Sequence, residues 1–313
     1  MDALERLHLG LTRGRALVGT PYLDDPELLA AYCQHFAPQS RAKARAVLRE
    51  VVDSAAPPRR VLDLGAGPGP MAQAARELYP TAEVVACDRS VRALDAVPAG
   101  IGRVRWDLAR GDPPPAALGR GDVVLLGNVL NELAGDQAAL VERLGAQVLS
   151  ERGQIVIIEP ALRETARALE RTRDALIERG WFVVAPCLWR GGCPALARER
   201  DWCHEDRSLR AGDDSLKFSY LVLRRAGRWS DDRCQFRVVS AKMGEKGREK
   251  LWGCGPAGRF LIVRLHREAS PDNASWDRIA RGDVVALEGL LEKPAELRVS
   301  KATRVRVVLP VVR

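Results

Sequence analysis

Three cysteines lie within one short stretch of the chain that is rich in proline and glycine. Five residues separate Cys187 from Cys193, and nine separate Cys193 from Cys203. Thiolates gathered in this way are typical ligands of a metal ion or an iron–sulfur cluster, and the alternative is a set of buried free thiols. Because these cysteines form no Cys-x-x-Cys pair, their uneven spacing favours a cluster over a zinc ribbon or finger, although zinc stays open as the alternative metal.

A fourth ligand must come from elsewhere in the sequence. Our first choice is Cys254, because the glycines and the proline of "LWGCGPAGRF" predict a turn in which the sulfur is accessible. Cys234 in "DDRCQF" is the main alternative. His204 is a further candidate, but as the neighbour of Cys203 it would have to fold back onto the same metal.

A second group of candidate residues surrounds the glycine-rich stretch "VLDLGAGPGPMA". This stretch follows a predicted strand and begins a predicted helix, and glycines at such a place let the backbone turn sharply and approach a ligand closely. The next two predicted strands end in Asp88 and in Trp106-Asp107. A carboxylate there can accept hydrogen bonds from ribose hydroxyls or from an adenine amino group.

The glycine stretch resembles the first motif of class I S-adenosylmethionine-dependent methyltransferases. It lacks the G-x-G-x-x-G spacing of nicotinamide dinucleotide sites and has a proline at position 68, so S-adenosylmethionine is the expected cofactor. The residues that we assign to cofactor binding are Asp63, Gly65, Ala66, Gly67, Gly69, Asp88, Arg89, Asp107 and Asn128.

The fourth predicted strand ends in "LLGNVLNEL", where such enzymes place groups that face the substrate. The catalytic candidates are therefore Asn128, Asn131 and Glu132. Alternatively, Asn131 caps the following helix and Glu132 is solvated. The sequence has neither the Asn-Pro-Pro-aromatic motif of amino-group methyltransferases nor a Pro-Cys nucleophile at this strand end, so it does not identify the acceptor atom.

The candidate residues are positioned by a predicted alternation of short apolar strands and helices, which is typical of a Rossmann-like, doubly wound α/β sheet with parallel strands. We expect an N-terminal helical segment over residues 1–56 and a cofactor-binding domain over 57–228 that includes a cysteine loop at 185–216. A small β-rich domain, a barrel or a sandwich, is expected over 229–313. Cys33 in a helix and Cys87 in a strand are expected to be buried and inert.

Composition limits the functional classes. A net charge of +8 and a pI near 9.4 indicate a polyanionic partner such as nucleic acid, or else charges spread over a solvated surface. No apolar run is long enough to span a bilayer, and the acidic N-terminus does not look like a secretory signal, so we expect a bacterial cytoplasmic protein without a membrane partner. An odd number of cysteines, 7, argues against a disulfide framework.

The cysteine stretch also carries a more specific resemblance. "VAPCLWRGGCPALARERDWCHEDRS" followed by "KFSYLVLRR", with "GNVLNEL" and "YLDDP" upstream, resembles the methyltransferase-like assembly factors of the mitochondrial ribosomal small subunit and their bacterial relatives. The resemblance extends over residues 20–285. The chain departs from the family pattern at Leu188 and Trp189, at Glu205, and at Arg281-Gly282-Asp283, where the pattern has Trp-Gly-Asp.

The resemblance implies a class I methyltransferase fold and a [4Fe-4S] cluster, which we expect to be structural, on Cys187, Cys193, Cys203 and Cys254. It also implies binding to small-subunit ribosomal RNA or the nascent small subunit, and we expect the protein to be a monomer. Two functions follow: an RNA methyltransferase, or a non-catalytic assembly factor that keeps the cofactor pocket. A methyltransferase of another substrate is the more distant alternative. The strand "WFVVA" should run parallel to its predecessors, which places the cysteine loop beside the substrate entrance.

Overall fold

The computed structural model describes residues 1–52, 56–208, 215–229 and 232–311. The N-terminal region is helical, as predicted, with α1 (Ala3–His8), α2 (Pro26–Ala31) and α3 (Ala37–Val51). Two π-helical turns, Leu9–Arg13 and Tyr32–Phe36, extend α1 and join α2 to α3. No helix in the described part of the chain is both long and apolar enough to cross a membrane.

Strands and helices then alternate along the chain. The elements of this region are β1 (Arg60–Leu64), α4 (Pro70–Leu78), β2 (Glu83–Asp88), α5 (Val91–Asp95), β3 (Gly102–Arg105), β4 (Gly121–Gly127), α6 (Gln137–Val148), β5 (Leu149–Pro160), α7 (Arg163–Glu178), β6 (Phe182–Ala185), β7 (Glu205–Ser208) and β8 (Ser215–Arg224). Within the described residues these strands form one sheet in the order β3-β2-β1-β4-β5-β8-β6, and β7 pairs with β8.

The first sheet confirms the expected doubly wound α/β fold. β1 pairs in parallel with both β2 and β4, so the direction in which the chain winds reverses between these neighbours. Ligands of such sheets bind in the crevice at the carboxyl ends of the strands around this reversal. Apolar side chains cover both faces: Val61 and Val123 belong to one buried cluster, and Leu62 and Val124 to the other.

One strand corrects the expectation of a parallel sheet. β8 runs antiparallel to both β5 and β6, which are therefore parallel to each other. The reason is topological: after the cysteine loop β7 continues in the direction of β6, and both pair with β8. The connection from β7 at Ser208 to β8 at Ser215 is too short for the crossover that a parallel neighbour needs, so β8 returns antiparallel to them. The predicted direction of "WFVVA" is confirmed.

The two isolated cysteines differ in their surroundings. Cys87 on β2 is fully buried, as predicted. The prediction that Cys33 is buried is wrong, because Cys33 is exposed. Cys33 lies in the π-helical turn Tyr32–Phe36, in which the rings of Tyr32 and Phe36 stack on each other. Because Tyr32 faces a cavity at the edge of the first sheet, the Cys33 thiol lies on the outer side of the turn.

The C-terminal region is β-rich, as predicted. Its strands are β9 (Gln235–Val238), β10 (Met243–Glu245), β11 (Arg248–Gly255), β12 (Gly258–Leu265), β13 (Val284–Glu288), β14 (Leu291–Lys293), β15 (Glu296–Val299) and β16 (Arg304–Leu309). Among the described residues they form a second sheet in the order β14-β15-β12-β11-β9-β13-β16, and β10 pairs with β11. Short 3-10 segments connect elements of both sheets at Tyr22–Asp24, Leu108–Arg110, Ala116–Leu118, Leu130–Glu132, Pro194–Ala197, His266–Glu268 and Pro271–Arg278.

The predicted turn at Cys254 is wrong. Cys254 lies on β11, where it pairs with Arg259 on one side and Arg237 on the other. The hairpin turn comes two residues later, at Pro256-Ala257, between the paired residues Gly255 and Gly258. A strand holds the thiol at a more definite place than a turn does, since both of its backbone neighbours are fixed by the sheet.

Candidate functional site

A cavity of about 110 Å³ lies at the carboxyl ends of β1, β2 and β4. Most of the residues that we assigned to the cofactor line it together: Asp63, Gly65, Ala66, Gly67, Asp88, Arg89, Asp107 and Asn128. The catalytic candidate Glu132 also lines it. Gly69 and Asn131 are not part of the lining; Gly69 lies at the start of α4 in a left-handed conformation with φ 76°.

The backbone of the glycine loop has a conformation that would be strained for residues other than glycine. Gly65 and Gly67 have φ values of 70° and 55°, and a Cβ on Gly65 would lie 2.6 Å from a methyl group of Val129. The amides of Gly65 and Ala66 both donate to the carbonyl of Cys87, at 2.8 and 2.9 Å. The loop is therefore tied to the end of β2 and presents bare backbone to the cavity.

Asp88 holds the same loop through its side chain. One carboxylate oxygen accepts the Gly67 amide at 2.7 Å and the other accepts the Ser90 amide at 2.8 Å. Burial raises the pKa of Asp88, although these amides lower it. Asp63 lies behind the loop, accepts the Ala72 amide at 2.8 Å, and burial raises its pKa to about 7. Each carboxylate oxygen can accept a second hydrogen bond, so Asp88 can still receive a ribose hydroxyl.

The N-terminal segment covers this cavity, which the sequence did not predict. Gly19 to Leu23 contribute to the lining, and Arg89 donates to the carbonyl of Thr20 at 2.5 Å. The Tyr22 hydroxyl donates to Glu132 at 3.3 Å. A Cβ on Gly67 would come within 3.1 Å of Leu23, so the cap and the glycine loop are in close contact.

The turn after β4 does not have the structure of the alternative in which Asn131 is a helix cap and Glu132 is solvated. Asn131 does not cap α6, whose first turn is capped by Asp136; its side-chain oxygen instead accepts from Arg15 at 3.1 Å. Glu132 is not solvated, because it faces the cavity, and burial raises its pKa to about 7. A carboxyl group with that pKa can accept or donate a proton near neutral pH.

Glu159 holds the turn after β4, and it was not among the residues predicted from the sequence. It is 2% exposed at the end of β5, and one of its oxygens accepts the Leu130 amide at 2.9 Å. Burial raises its pKa to about 8. An acidic residue at the end of the otherwise apolar run "QIVIIE" was the available signal.

The predicted cluster ligands meet at a second cavity, of about 80 Å³. Cys187, Cys193, Cys203 and Cys254 all line it, whereas Cys234 lines a separate cavity in the second sheet. In the described part of the chain, no three Cys, His, Asp or Glu side chains lie close enough to share one metal ion. The cavity has several times the roughly 10–15 Å³ that a single water molecule requires.

Four thiols and the guanidinium of Arg173 line this cavity. Burial raises the pKa of all four thiols, that of Cys254 to about 12, so uncoordinated thiols would stay protonated here. Arg173 opposes this effect at Cys187. Ligation would require thiolates, and both a metal centre and this guanidinium would balance their charge.

One face of α7 anchors the cysteine loop. Arg173 donates to the carbonyls of Trp189 and Gly191, and Asp174 accepts the amide of Cys193 at 2.8 Å. The loop's far end is held by Glu170, which accepts the amide of Cys203. Arg167 donates to four further loop carbonyls, of Ala195, Leu196, Arg198 and Asp201. The helical spacing of these polar residues was visible in "RALERTRD", but it does not reveal a partner that is distant in sequence.

A buried charge network lies beside the cysteine cavity. Glu50 of α3 accepts from Arg207 of β7 at 2.6 Å and from Arg237 of β9 at 2.7 Å. The Tyr220 hydroxyl of β8 donates to Glu50 at 2.9 Å, and Glu205 lies 3.4 Å from Arg207. The side chains of both ion pairs are at most 4% exposed. The network therefore connects the N-terminal helices, the first sheet and the second sheet.

The chain is similar to one protein family and to several solved structures. A family described as mitochondrial small ribosomal subunit Rsm22 matches residues 26–263. Among solved structures, the plantazolicin methyltransferase BpumL is 16% identical with a TM-score of 0.48, over 71% of this chain and 98% of that one. The precorrin-6y C5,15-methyltransferase from Geobacter metallireducens is 16% identical with a TM-score of 0.39, over 59% and 87%. No curated protein matches the sequence significantly.

Proposed function

The chain belongs to the Rsm22 family of the mitochondrial small ribosomal subunit, and from that premise we propose that it is an S-adenosylmethionine-dependent methyltransferase-like protein. Its target is small-subunit ribosomal RNA during ribosome assembly, which it methylates or binds. The family takes its description from the mitochondrial small ribosomal subunit. The net charge of +8 supports an RNA partner, because phosphates that bind arginine and lysine release counterions.

The observation that carries the cofactor proposal is the shared cavity at three strand ends. The glycine loop suits the amino-acid end of the cofactor, Asp88 the ribose hydroxyls, and Asp107 the adenine amino group. These contributions come from β1, β2 and the end of β3, which is the arrangement that a nucleoside ligand needs at the carboxyl edge of a doubly wound sheet.

Transfer would depend on positioning. The cofactor supplies an activated methyl group, and the protein holds an acceptor atom in line with it. Glu132 and Asn128 line the cavity beside the glycine loop, where they can orient an acceptor or take up its proton. The acceptor must reach them past the cap formed by residues 19–23.

We also propose a structural [4Fe-4S] cluster on Cys187, Cys193, Cys203 and Cys254. Four thiols that line one cavity support this assignment, and so does its volume. Ligation would fasten the cysteine loop to β11 of the second sheet.

Methyl transfer tests the enzymatic form of the proposal. Purified protein is incubated with methyl-labelled S-adenosylmethionine and either naked small-subunit ribosomal RNA or immature small subunits. Label in the RNA supports a methyltransferase. Binding of cofactor and subunits without label supports the non-catalytic assembly factor. A protein that binds neither S-adenosylmethionine nor small-subunit RNA would contradict both forms.

Metal analysis tests the cluster. Anaerobically purified protein should be brown, with about four irons and four sulfides per chain. Serine at any one of the four ligand positions should remove the colour. Cys33→Ser and Cys234→Ser are matched controls outside the cavity, and both should keep it. One zinc per chain without sulfide in the anaerobic protein would contradict the cluster.

A further inference from the structure

We propose that the chain binds RNA phosphates through one surface, formed by α7 and the cysteine loop at residues 187–204. This inference rests on the proposed function and locates its RNA-binding face. We call this surface the arginine face. Its defining side chains are Arg163, Arg171, Arg190, Arg198 and Arg200. All of them are exposed, and none forms an ion pair with any described residue.

Hydrogen bonds hold the two elements together as one surface. Arg167 lies one helical turn from both Arg163 and Arg171, so these three residues share a side of α7. Its guanidinium donates to the carbonyls of Arg198 at 2.9 Å and Asp201 at 2.7 Å. The arginines of the helix therefore flank the loop segment that carries Arg198 and Arg200.

The other end of the loop is held in the same way. Arg173 donates to the carbonyls of Trp189 and Gly191, the two residues on either side of Arg190. The backbone that presents Arg190 is thus tied to α7 as well. Charges on a surface whose backbone is fixed can match a polyanion with little loss of conformational entropy on binding.

The charge of this surface is mainly positive. Its acidic residues Asp174 and Asp201 are paired with Arg173 and Arg259, which leaves Glu164, Glu178 and Glu199 as its exposed acids beside the five defining arginines. Clustered cations without partners repel one another, and a phosphate backbone would relieve that repulsion while releasing its own counterions.

The arginine face lacks the exposed apolar side chains that a membrane-binding or hydrophobic protein-binding surface would have. The large apolar side chains that are exposed in the described residues lie elsewhere: Met1, Leu4, Val91, Leu291, Val308 and Leu309. A membrane-inserting or hydrophobic protein interface would need such side chains. Arginines without exposed apolar neighbours instead suit a phosphate backbone.

The arginine face begins at the same edge of the first sheet as the cofactor cavity. α7 begins three residues after the end of β5, and the cysteine loop follows the end of β6, which runs parallel to β5. Both therefore start at the sheet edge where Asn128, at the end of neighbouring β4, lines the cavity. RNA held by its phosphates on this face lies along the edge at which an acceptor base would enter.

The test compares two triple variants with the same change in net charge. The first carries Arg171→Glu, Arg198→Glu and Arg200→Glu. The control carries Arg92→Glu, Arg152→Glu and Arg228→Glu, which are exposed arginines away from the arginine face, and they likewise form no ion pair in the described chain. The probe is a fluorescein-labelled hairpin of small-subunit ribosomal RNA, and its affinity is measured by anisotropy over a series of salt concentrations.

The first variant should bind the hairpin at least tenfold more weakly, with a log–log salt slope shallower by roughly 2–3. The control should keep most of the affinity and the slope. Lysine at the same three positions of the arginine face should also keep them, because phosphate contacts need a positive charge rather than a guanidinium. Circular dichroism checks that each variant is folded.

The possible failures are distinguishable. If both glutamate variants lose affinity equally, the RNA responds to overall charge and the arginine face is overturned, while the proposed function stands. If the wild-type protein has no affinity for the hairpin even at low salt, both the arginine face and the RNA partner of the proposed function are overturned.

Discussion

At the residue scale, the side chains proposed to bind ligands also hold the backbone around them. Asp88 fixes the glycine loop through Gly67 while it faces the cavity, and Glu159 fixes the turn that carries Glu132. A carboxylate that accepts a backbone amide is held in one rotamer, so its remaining lone pairs point in a defined direction. Such side chains are ready for a ligand before it binds.

Replacing Asp88 by alanine should weaken S-adenosylmethionine binding by tenfold or more. The variant loses the charged acceptor of the ribose hydroxyls, and a hydrogen bond to a charged group contributes about 1.5–3 kcal/mol. Isothermal titration calorimetry measures the affinity. Asp95→Ala, at an exposed residue of α5, is the control and should bind normally. An unchanged affinity of the Asp88 variant would refute the ribose contact.

The raised pKa of Glu159 predicts that the stability of the protein depends on pH. Burial raises its pKa from the ordinary 4.5 to about 8 in the folded state, so between these values the folded protein keeps a proton that the unfolded chain has lost. Stability should therefore fall as pH rises through this window, by up to about 1.4 kcal/mol per pH unit from this group. Glu159→Gln keeps the acceptor for the Leu130 amide but cannot ionise.

Denaturant unfolding of wild type and Glu159→Gln at pH 5 and pH 8 tests this prediction. The variant should be the more stable protein at pH 8, and the difference should shrink at pH 5. Subtracting the two proteins removes the contributions of titrating groups that do not interact with Glu159. A stability difference that does not change with pH would contradict the prediction.

At the element scale, the cysteine loop leaves the first sheet after β6 and returns to it at β7. β6 and β7 lie at its two ends, and both pair with β8. The loop therefore leaves and rejoins the sheet along the same strand, and α7 holds it by hydrogen bonds from above. A loop closed in this way keeps its thiols near one another whether or not a metal is bound.

Arg173→Met should loosen this loop. The change leaves the carbonyls of Trp189 and Gly191 without their donor, and each lost partner of a buried group costs about 1–3 kcal/mol. Native-state hydrogen exchange should become faster across residues 187–204, and the iron content should fall. Arg171→Met, at an exposed residue of the same helix, should do neither. Equal exchange in wild type and Arg173→Met would show that α7 does not hold the loop.

At the scale of the whole molecule, Glu50 joins three parts of the chain. Burial raises its pKa, but Arg237 and Arg207 more than offset this effect, so the pKa of Glu50 lies below its ordinary value. Tyr220 and Glu205 complete the surroundings of the carboxylate. The first sheet and the second sheet are thus held together by a charged contact as well as by the proposed cluster.

Glu50→Gln should destabilise the protein by about 3–5 kcal/mol at neutral pH, because two buried guanidinium groups lose their counterion. Since the folded pKa of Glu50 is depressed, its contribution is present above the unfolded pKa near 4.5 and disappears as pH falls through the lower folded value. Thermal unfolding at pH 7 and at low pH measures this. Glu288→Gln, which breaks only exposed pairs with Arg304 and Arg306, should cost less than about 1 kcal/mol.

The sequence alone determined the features that depend on neighbouring residues. Apolar runs and helical spacing predict the strands and helices of the first sheet, because burial on one or both faces repeats with the period of each element. The glycine loop and the acid at the end of β2 were likewise legible, since strand ends of a doubly wound sheet converge at one edge. These patterns and the family resemblance were sufficient to predict the fold, and most of the residues that they assigned to the cofactor do line the cavity.

Tertiary structure decided the features that depend on residues far apart. It set the direction of β8, the exposure of Cys33, the strand that carries Cys254, and the cap of residues 19–23 over the cofactor cavity. It also paired Glu50 with Arg207 and Arg237, which are more than 150 residues away. A polar or charged residue has the same local pattern whether it faces water or a buried partner. Only packing of the complete chain removes the water and supplies that partner.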